Sequence, residues 1–209
     1  MRASSEPRPA PDLSCERRWC VRGAGIVAGI DEAGRGPIAG PVVAAAVALD
    51  EDRVPDGIRD SKELTPLRRE LLFDAIVRTA AVGVGIAPVE RIDRDNILQA
   101  TLWAMAQAAA ALPVSPLAIL VDGDRLPVLS CPGEAVVGGD RRSLSIAAAS
   151  IVAKVTRDRM MDELAVAYPQ YGFERHRGYP TAAHLIELAR HGPCPHHRRS
   201  FAPVAATLR

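Results

Sequence analysis

Cysteine is scarce in this 209-residue sequence: Cys15, Cys20, Cys131 and Cys194 show no C-x-x-C spacing and are too few for a disulfide scaffold, so a reducing compartment is expected. A zinc site from Cys15, Cys20, Cys194 and His196 would draw its ligands from both ends of the chain and is set aside. No run of about 18 apolar residues escapes charge or proline, and the opening MRASSEPRPAPDL lacks an apolar signal core. A soluble, cytoplasmic protein with no membrane association is therefore expected. Neither a Walker spacing nor G-x-G-x-x-G is present, which weighs against nucleotide binding through the glycines. Internal repeats are absent, and a net charge of +1 neither demands nor excludes nucleic acid. With 48% hydrophobic residues the chain can bury one full core. One domain plus a tail is the simplest count, with a monomer as the default.

What is present is organised around residues 26–49, IVAGIDEAGRGPIAGPVVAAAVAL. Two apolar runs, Ile26–Ile30 and Val42–Leu49, read as strands on either side of a polar island holding Asp31, Glu32 and Arg35. Adjacent carboxylates at the end of a buried strand raise each other's pKa and lose hydration, so they need a cation. Gly34-Arg35-Gly36 follows at once, and its glycines leave main-chain N–H groups open to a sugar or phosphate. Taken locally, these residues also fit strand-end surface charges followed by a plain turn.

Along the rest of the chain, residues 1–22 are proline-rich and poor in apolar groups and read as a disordered tail, with Trp19 and Val21 able to pack on the domain. Asp60-Ser61-Lys62-Glu63-Leu64-Thr65-Pro66 leads into a helix over 66–80, Thr65 capping and Pro66 at its first position. Locally, Lys62 fits a solvated loop as well as a phosphate contact. A strand over 81–89 and one long helix over 89–112 follow. Leu117–Val121 has the form of a buried strand delivering Asp122, and a short strand over 135–137 leads through Gly138-Gly139 to Asp140. A helix begins near Ser143 or Ser145, and another spans 181–191. Residues 141–209 hold 11 Lys or Arg against 5 Asp or Glu, whereas residues 1–140 hold 15 against 20. That asymmetry, with aromatics interleaved among Arg and His after Tyr168, suits a basic C-terminal face for nucleic acid beside an acidic site; a C-terminal subdomain that packs its aromatics inward fits equally.

Asp31, Glu32, Asp122 and Asp140 all stand at strand-to-next-element boundaries, where aspartate also serves as a turn or cap residue. A mixed sheet could bring those ends together. Carboxylates without Cys or a nearby His select Mg²⁺ or Mn²⁺. Two such ions about 4 Å apart would flank a scissile phosphate, making metal-dependent phosphodiester hydrolysis the reaction class.

The run Gly29-Ile30-Asp31-Glu32-Ala33-Gly34-Arg35-Gly36-Pro37 resembles the signature of type 2 ribonuclease H, ribonuclease HII. Further matches are Asp60 to Thr65, the Ile92, Asp93, Asn96 and Ile97 pattern, Asp122-Gly123, the long run Gly139 to Asp158, Gly178-Tyr179-Pro180-Thr181 and His197-Arg198-Arg199-Ser200-Phe201. The resemblance implies an α/β ribonuclease H-like fold, a five-stranded mixed sheet flanked by helices, with a helical C-terminal extension over about 165–209. It implies an endonuclease acting on RNA–DNA hybrids and on DNA duplexes with embedded ribonucleotides, leaving 5′-phosphate and 3′-hydroxyl ends. Asp31, Glu32, Asp122 and Asp140 would be its catalytic metal ligands. Gly34, Arg35, Gly36 and Lys62 would contact substrate, and Tyr179 would stack on the sugar at the RNA–DNA junction. Ribonuclease HIII is the near alternative, but it would carry Gly-Thr-Gly here and a further N-terminal domain that the 25 residues before Ile26 cannot supply. A non-catalytic nucleic-acid-binding module is the alternative from another class, and the four acids argue against it. One departure stands out: the family commonly has Lys where this chain has Gly138, so Arg141 and Arg142 are expected to restore the charge.

Overall fold

A computed structural model of the chain describes residues 10–20 and 25–208. Five strands, β1 (Val27–Ala33), β2 (Val42–Ala48), β3 (Ala81–Ala87), β4 (Ala118–Asp122) and β5 (Gly133–Val136), form one sheet in the order β3-β2-β1-β4-β5. β2 runs antiparallel to both β1 and β3, while β4 is parallel to both β1 and β5. This is the mixed sheet of the ribonuclease H-like fold that the motifs imply. Its parallel half directs the C-terminal ends of β1, β4 and β5 to one edge, which is where the acids lie.

Helices cover both faces. α2 (Pro66–Thr79) and α4 (Leu144–Ala167) lie on one, and α3 (Val89–Ala110) lies on the other. Every residue of β2 is buried, and its alanines alternate: Ala44 and Ala46 face Ala104 and Ala108, whereas Ala45 and Val47 face Ala148 and Val152. Such small side chains let helices approach closely. At Gly29 of β1 a β-carbon would lie 2.2 Å from the Ile146 nitrogen, so only glycine admits the start of α4 against this strand. Thr65 caps α2 through the Arg68 N–H, and Ser143 caps α4 through the Ile146 N–H.

Two expectations change and a third narrows. α3 is not one unbroken helix, because Asn96 adopts φ 69°, ψ 167° and its side chain accepts the N–H groups of Leu98 and Gln99. Asn96 thereby starts a second helical piece, its side chain competing with the main-chain ladder. Nor are residues 10–20 an unstructured tail, since Ser14–Cys20 forms α1. Cys15, Trp19 and Cys20 pack on Val27, Leu120, Val136 and Ile146, and buried Glu16 accepts hydrogen bonds from the Ser143 hydroxyl (2.6 Å), the Ser145 N–H (2.9 Å) and the Ser145 hydroxyl (2.6 Å). Composition misses this because a few well-placed contacts outweigh the prolines around them. The remainder of the expected tail, residues 1–9 and 21–22 with Val21, lies outside the described residues.

The third concerns the C-terminal extension, built from α5 (Phe173–His176), α6 (Ala182–His191) and α7 (Ala202–Ala205). Part of its aromatic and basic set forms an interior, as the second of the two sequence readings has it, while Arg175, Tyr179, Arg190 and Arg199 stay exposed. Tyr171, Phe173, His184, His197 and Arg198 are buried, and the two histidines meet Nε2 to Nε2 at 3.0 Å. Burial depresses both imidazoles to about 4, so each is neutral at pH 7. Among the described residues no helix is long and apolar enough to cross a membrane.

Candidate active site

β1 and β4 pair in parallel with Ile30 opposite Val121, so Asp31 and Asp122 are the next residues on neighbouring strands. Asp122 also pairs with Val136 of β5, from which Val137 and two glycines lead to Asp140. The Asp122 carboxylate accepts the Gly139 N–H at 2.7 Å, fixing the turn that carries Asp140. Asp31 accepts the Glu32 N–H at 2.7 Å, and Glu32 is paired with the Arg35 guanidinium at 3.1 Å. Lys62 reaches to 4.0 Å of Asp140 and Arg141 to 3.9 Å. The fold thus gathers all four acids, and Lys62 and Arg35 join them.

The gathering is electrostatically costly. Burial, then the charges of Glu32, Asp122 and Asp140, push the Asp31 carboxyl well above the usual range. Glu32 is raised by burial, with Arg35 opposing. Asp140 rises to about 6 through burial, then the charges of Asp60 and Asp122. Burial alone would lower the Lys62 ammonium, but Asp60, Asp31, Asp140 and Asp122 outweigh it and hold Lys62 above its ordinary value.

Among the described residues no three acid, imidazole or thiol side chains are already arranged as a cation cage. The hydrogen bonds account for this, since Glu32 is turned to Arg35, Asp122 to the Gly139 amide and Asp31 to its neighbour's amide. The donor set nonetheless fits a hard divalent cation: it is all carboxylate, it is crowded enough to hold protons above their normal range, and its cations are fewer than its acids. The quartet of Cys15, Cys20, Cys194 and His196 is not assembled, for Cys15 packs under α1 while Cys194 lies in the core of the extension.

Residues 34–41 connect β1 to β2, and their carbonyls turn inward. Buried Arg198 donates to the carbonyls of Gly34 (2.6 Å), Arg35 (2.9 Å), Pro37 (2.6 Å), Gly40 (2.8 and 3.0 Å) and Pro41 (3.2 Å). Buried Arg157 donates to Pro41 (3.0 Å), Ala39 (3.2 Å) and Arg177 (3.0 Å). Gly34 has φ 96°, and a β-carbon there would lie 2.0 Å from Arg157 Nε, so both conformation and space require glycine. Ile38 and Gly40 spend their N–H groups on Gly178 and His196 of the extension. Among the described residues the N–H groups of Gly34, Arg35 and Gly36 meet no protein acceptor. The half-exposed Tyr179 ring lies beside them, its Cε1 3.3 Å from where a Gly36 β-carbon would be.

A sequence profile described as Ribonuclease HII matches residues 28–204. The chain belongs to the ribonuclease HII family. It is accordingly an endonuclease of the ribonuclease H type. A protein from Azorhizobium caulinodans named ribonuclease HII is 58% identical over 207 residues, covering 98% of this chain and 80% of that one. Among solved structures, ribonuclease H2 from Pyrococcus horikoshii OT3 is 30% identical, with TM-score 0.73 over 87% of this chain and 96% of that one. The ribonuclease HII of Archaeoglobus fulgidus, solved in complex with PCNA, is 31% identical, with TM-score 0.71 over 82% and 92%.

Within this ribonuclease HII fold, Gly138 sits in the left-handed region at φ 64°, where a Lys would be strained, and the Arg141 guanidinium lies 3.0 Å from the space its β-carbon would take. Arg141 thus brings a guanidinium to 3.9 Å of Asp140. Arg142 is exposed and forms no ion pair among the described residues. Reading the sequence also undervalued Asp60, whose buried carboxylate caps the Lys62 N–H at 3.0 Å and whose charge bears on Asp140. Its signal was its place in the matched Asp-Ser-Lys run. Arg157 and Arg198 lie in matched runs too, and composition alone places them with the basic surface.

Proposed function

We propose that the chain is a metal-dependent ribonuclease that cuts RNA in RNA–DNA hybrids and cuts on the 5′ side of a lone ribonucleotide in duplex DNA. The observation that carries this reading is the juxtaposition of four strand-end carboxylates with a loop offering unpartnered main-chain amides at residues 34–36. Asp31, Glu32, Asp122 and Asp140 would hold Mg²⁺ or Mn²⁺, with two ions the expected number during catalysis. When bound, such ions supply an activated water and stabilise the leaving 3′ oxygen.

The chain's own groups supply recognition. A 2′-hydroxyl both donates and accepts, and the amides of Arg35 and Gly36 offer donors that deoxyribose cannot use. Tyr179, flat and half-exposed beside Gly36, packs against the next sugar and tolerates a deoxyribose better than a ribose. Lys62 and Arg141 flank Asp140 and suit the phosphates on either side of the cut. Both sugar checks are met together only where RNA passes to DNA. Digestion of an end-labelled duplex containing one ribonucleotide, with Mg²⁺, with Mn²⁺ and with neither, tests the reading. The expected product carries the ribonucleotide at its 5′ end and forms only with metal; cleavage on the 3′ side, or equal cleavage in chelator, would overturn it.

A further inference from the structure

A peptide unit is planar and trans, so a carbonyl that points one way sends the next residue's N–H the other way. The Gly34 and Arg35 carbonyls both point at the Arg198 guanidinium, at 2.6 and 2.9 Å. The N–H groups on those same two peptide planes belong to Arg35 and Gly36, which have no protein acceptor among the described residues and lie beside the Tyr179 ring. Arg198 is completely buried, and among the described residues neither it nor Arg157 forms an ion pair with a carboxylate. Its hydrogen bonds go to main-chain carbonyls, with the Asp93 charge and the Phe201 ring nearby, and those carbonyls belong to the loop that would meet the ribonucleotide. Arg157 does the same from below through Pro41 and Ala39.

We propose that Arg198, supported by Arg157, is a positioning residue for ribonucleotide recognition: its fork locks the peptide planes 34–35 and 35–36 so that the Arg35 and Gly36 amides face the 2′-hydroxyl. The inference rests on the reading above that this loop meets the ribose. A planar fork is needed because a single guanidinium must reach carbonyls spread from Gly34 to Pro41. A lysine keeps the charge but cannot span them. The positive charge behind the peptides also polarises them, making the outward N–H groups stronger donors.

The test is Arg198→Lys, with KM measured on a duplex containing one ribonucleotide and Ki measured for an all-DNA duplex of the same sequence as competitor. In the wild type the ratio Ki/KM reports how strongly the 2′-hydroxyl is read. The expected result for Arg198→Lys is a fall in that ratio of about tenfold, the worth of one well-aimed hydrogen bond, carried by KM while Ki stays constant. A residue that merely stabilised the fold would change KM and Ki together or lower kcat alone, and either result overturns the inference. A folded variant with the wild-type ratio also overturns it while leaving the loop's role intact. A wild-type ratio near one removes the loop reading itself, and the inference with it. Should Arg198→Lys fail to fold, Arg157→Lys keeps the Arg198 fork and removes the Arg157 hydrogen bonds to Pro41 and Ala39; it is expected to lower the ratio in the same sense, and an unchanged ratio there overturns the proposal.

Discussion

Two clusters of like charge adjoin the β1–β2 connection, and the protein treats them in opposite ways. Arg157 and Arg198 are buried and their guanidiniums are pushed down to about 10 and about 9 by burial, yet both stay charged at neutral pH, with carbonyls around the fork. Asp31, Glu32, Asp122 and Asp140 receive far less: two main-chain amides, one arginine and two cations at the margin of contact. One cluster is met by the chain's own groups, and the other is left short of counter-charge. A buried charge fully met by the chain is architecture, whereas one left short is a place for chemistry.

Removing a member of each cluster should expose the contrast most strongly. Asp31→Asn is expected to reduce cleavage by about 10²-fold or more at saturating Mg²⁺, with no loss of thermal stability in the metal-free protein, because one like charge has gone. Arg157→Met should do the reverse to the fold, costing about 3 kcal/mol by leaving buried carbonyls unmet. Single-turnover rates and urea midpoints on both variants check this. An Asp31→Asn protein with near wild-type turnover would remove that residue from the site.

A smaller effect is expected at Tyr179. Tyr179→Ala should narrow the preference for a single ribonucleotide over a long hybrid by roughly tenfold, the scale of one stacking contact. Equal losses on the two substrates would make the ring a general binding surface. Smaller again is the contribution of Arg141: Arg141→Ala should reduce the slope of log affinity against log salt by about 0.9, while Arg142→Ala leaves it unchanged. The slope measured for each variant separates the guanidinium that faces Asp140 from its neighbour in the chain.

Acidity gives the gentlest test, since the acids and the buried histidines respond with opposite sign. His184 and His197 titrate near 4 in the folded chain and near 6.5 when unfolded, so between those values the unfolded state binds more protons and stability falls as pH drops. Asp31 and Asp140 are raised, so the folded state holds protons the unfolded state has released, and stability falls as pH climbs above the ordinary carboxylate range, the Asp140 share being lost by about 6. In the metal-free wild type the two contributions therefore oppose each other between about pH 4 and 6 and largely offset. Asp31→Asn removes part of the opposing share and should uncover a steeper loss of stability on acidification, which urea midpoints at about pH 4.5, 5.5 and 6.5 would show.

Much of this was legible in the chain. Alternating small apolar residues in β2, the Thr65-Pro66 start of α2 and the apolar run ending at Asp122 each carry their structure in local spacing. The four acids were readable because each closes such a run. What stayed hidden depends on partners distant in sequence: Arg198 looks like surface charge until the carbonyls of residues 34–41 fold around it, and Asp60 looks like a cap until Asp140 arrives beside it. Asn96 has the opposite character, since its cap is purely local and was lost against the strong helical pattern on either side.

The hydrogen bonds from Ser143 and Ser145 to Glu16 carry a practical corollary. Trimming the chain to begin at residue 21 would keep every acid of the strand-end cluster and every residue of the sheet. It would also take away the carboxylate seated on the first turn of α4, three residues beyond Asp140, where a negative group favours the helix start. The shortened enzyme would keep the strand-end acids and lose support beneath the turn that carries Asp140, so a weak trimmed preparation would report on the trimming and not on the chemistry.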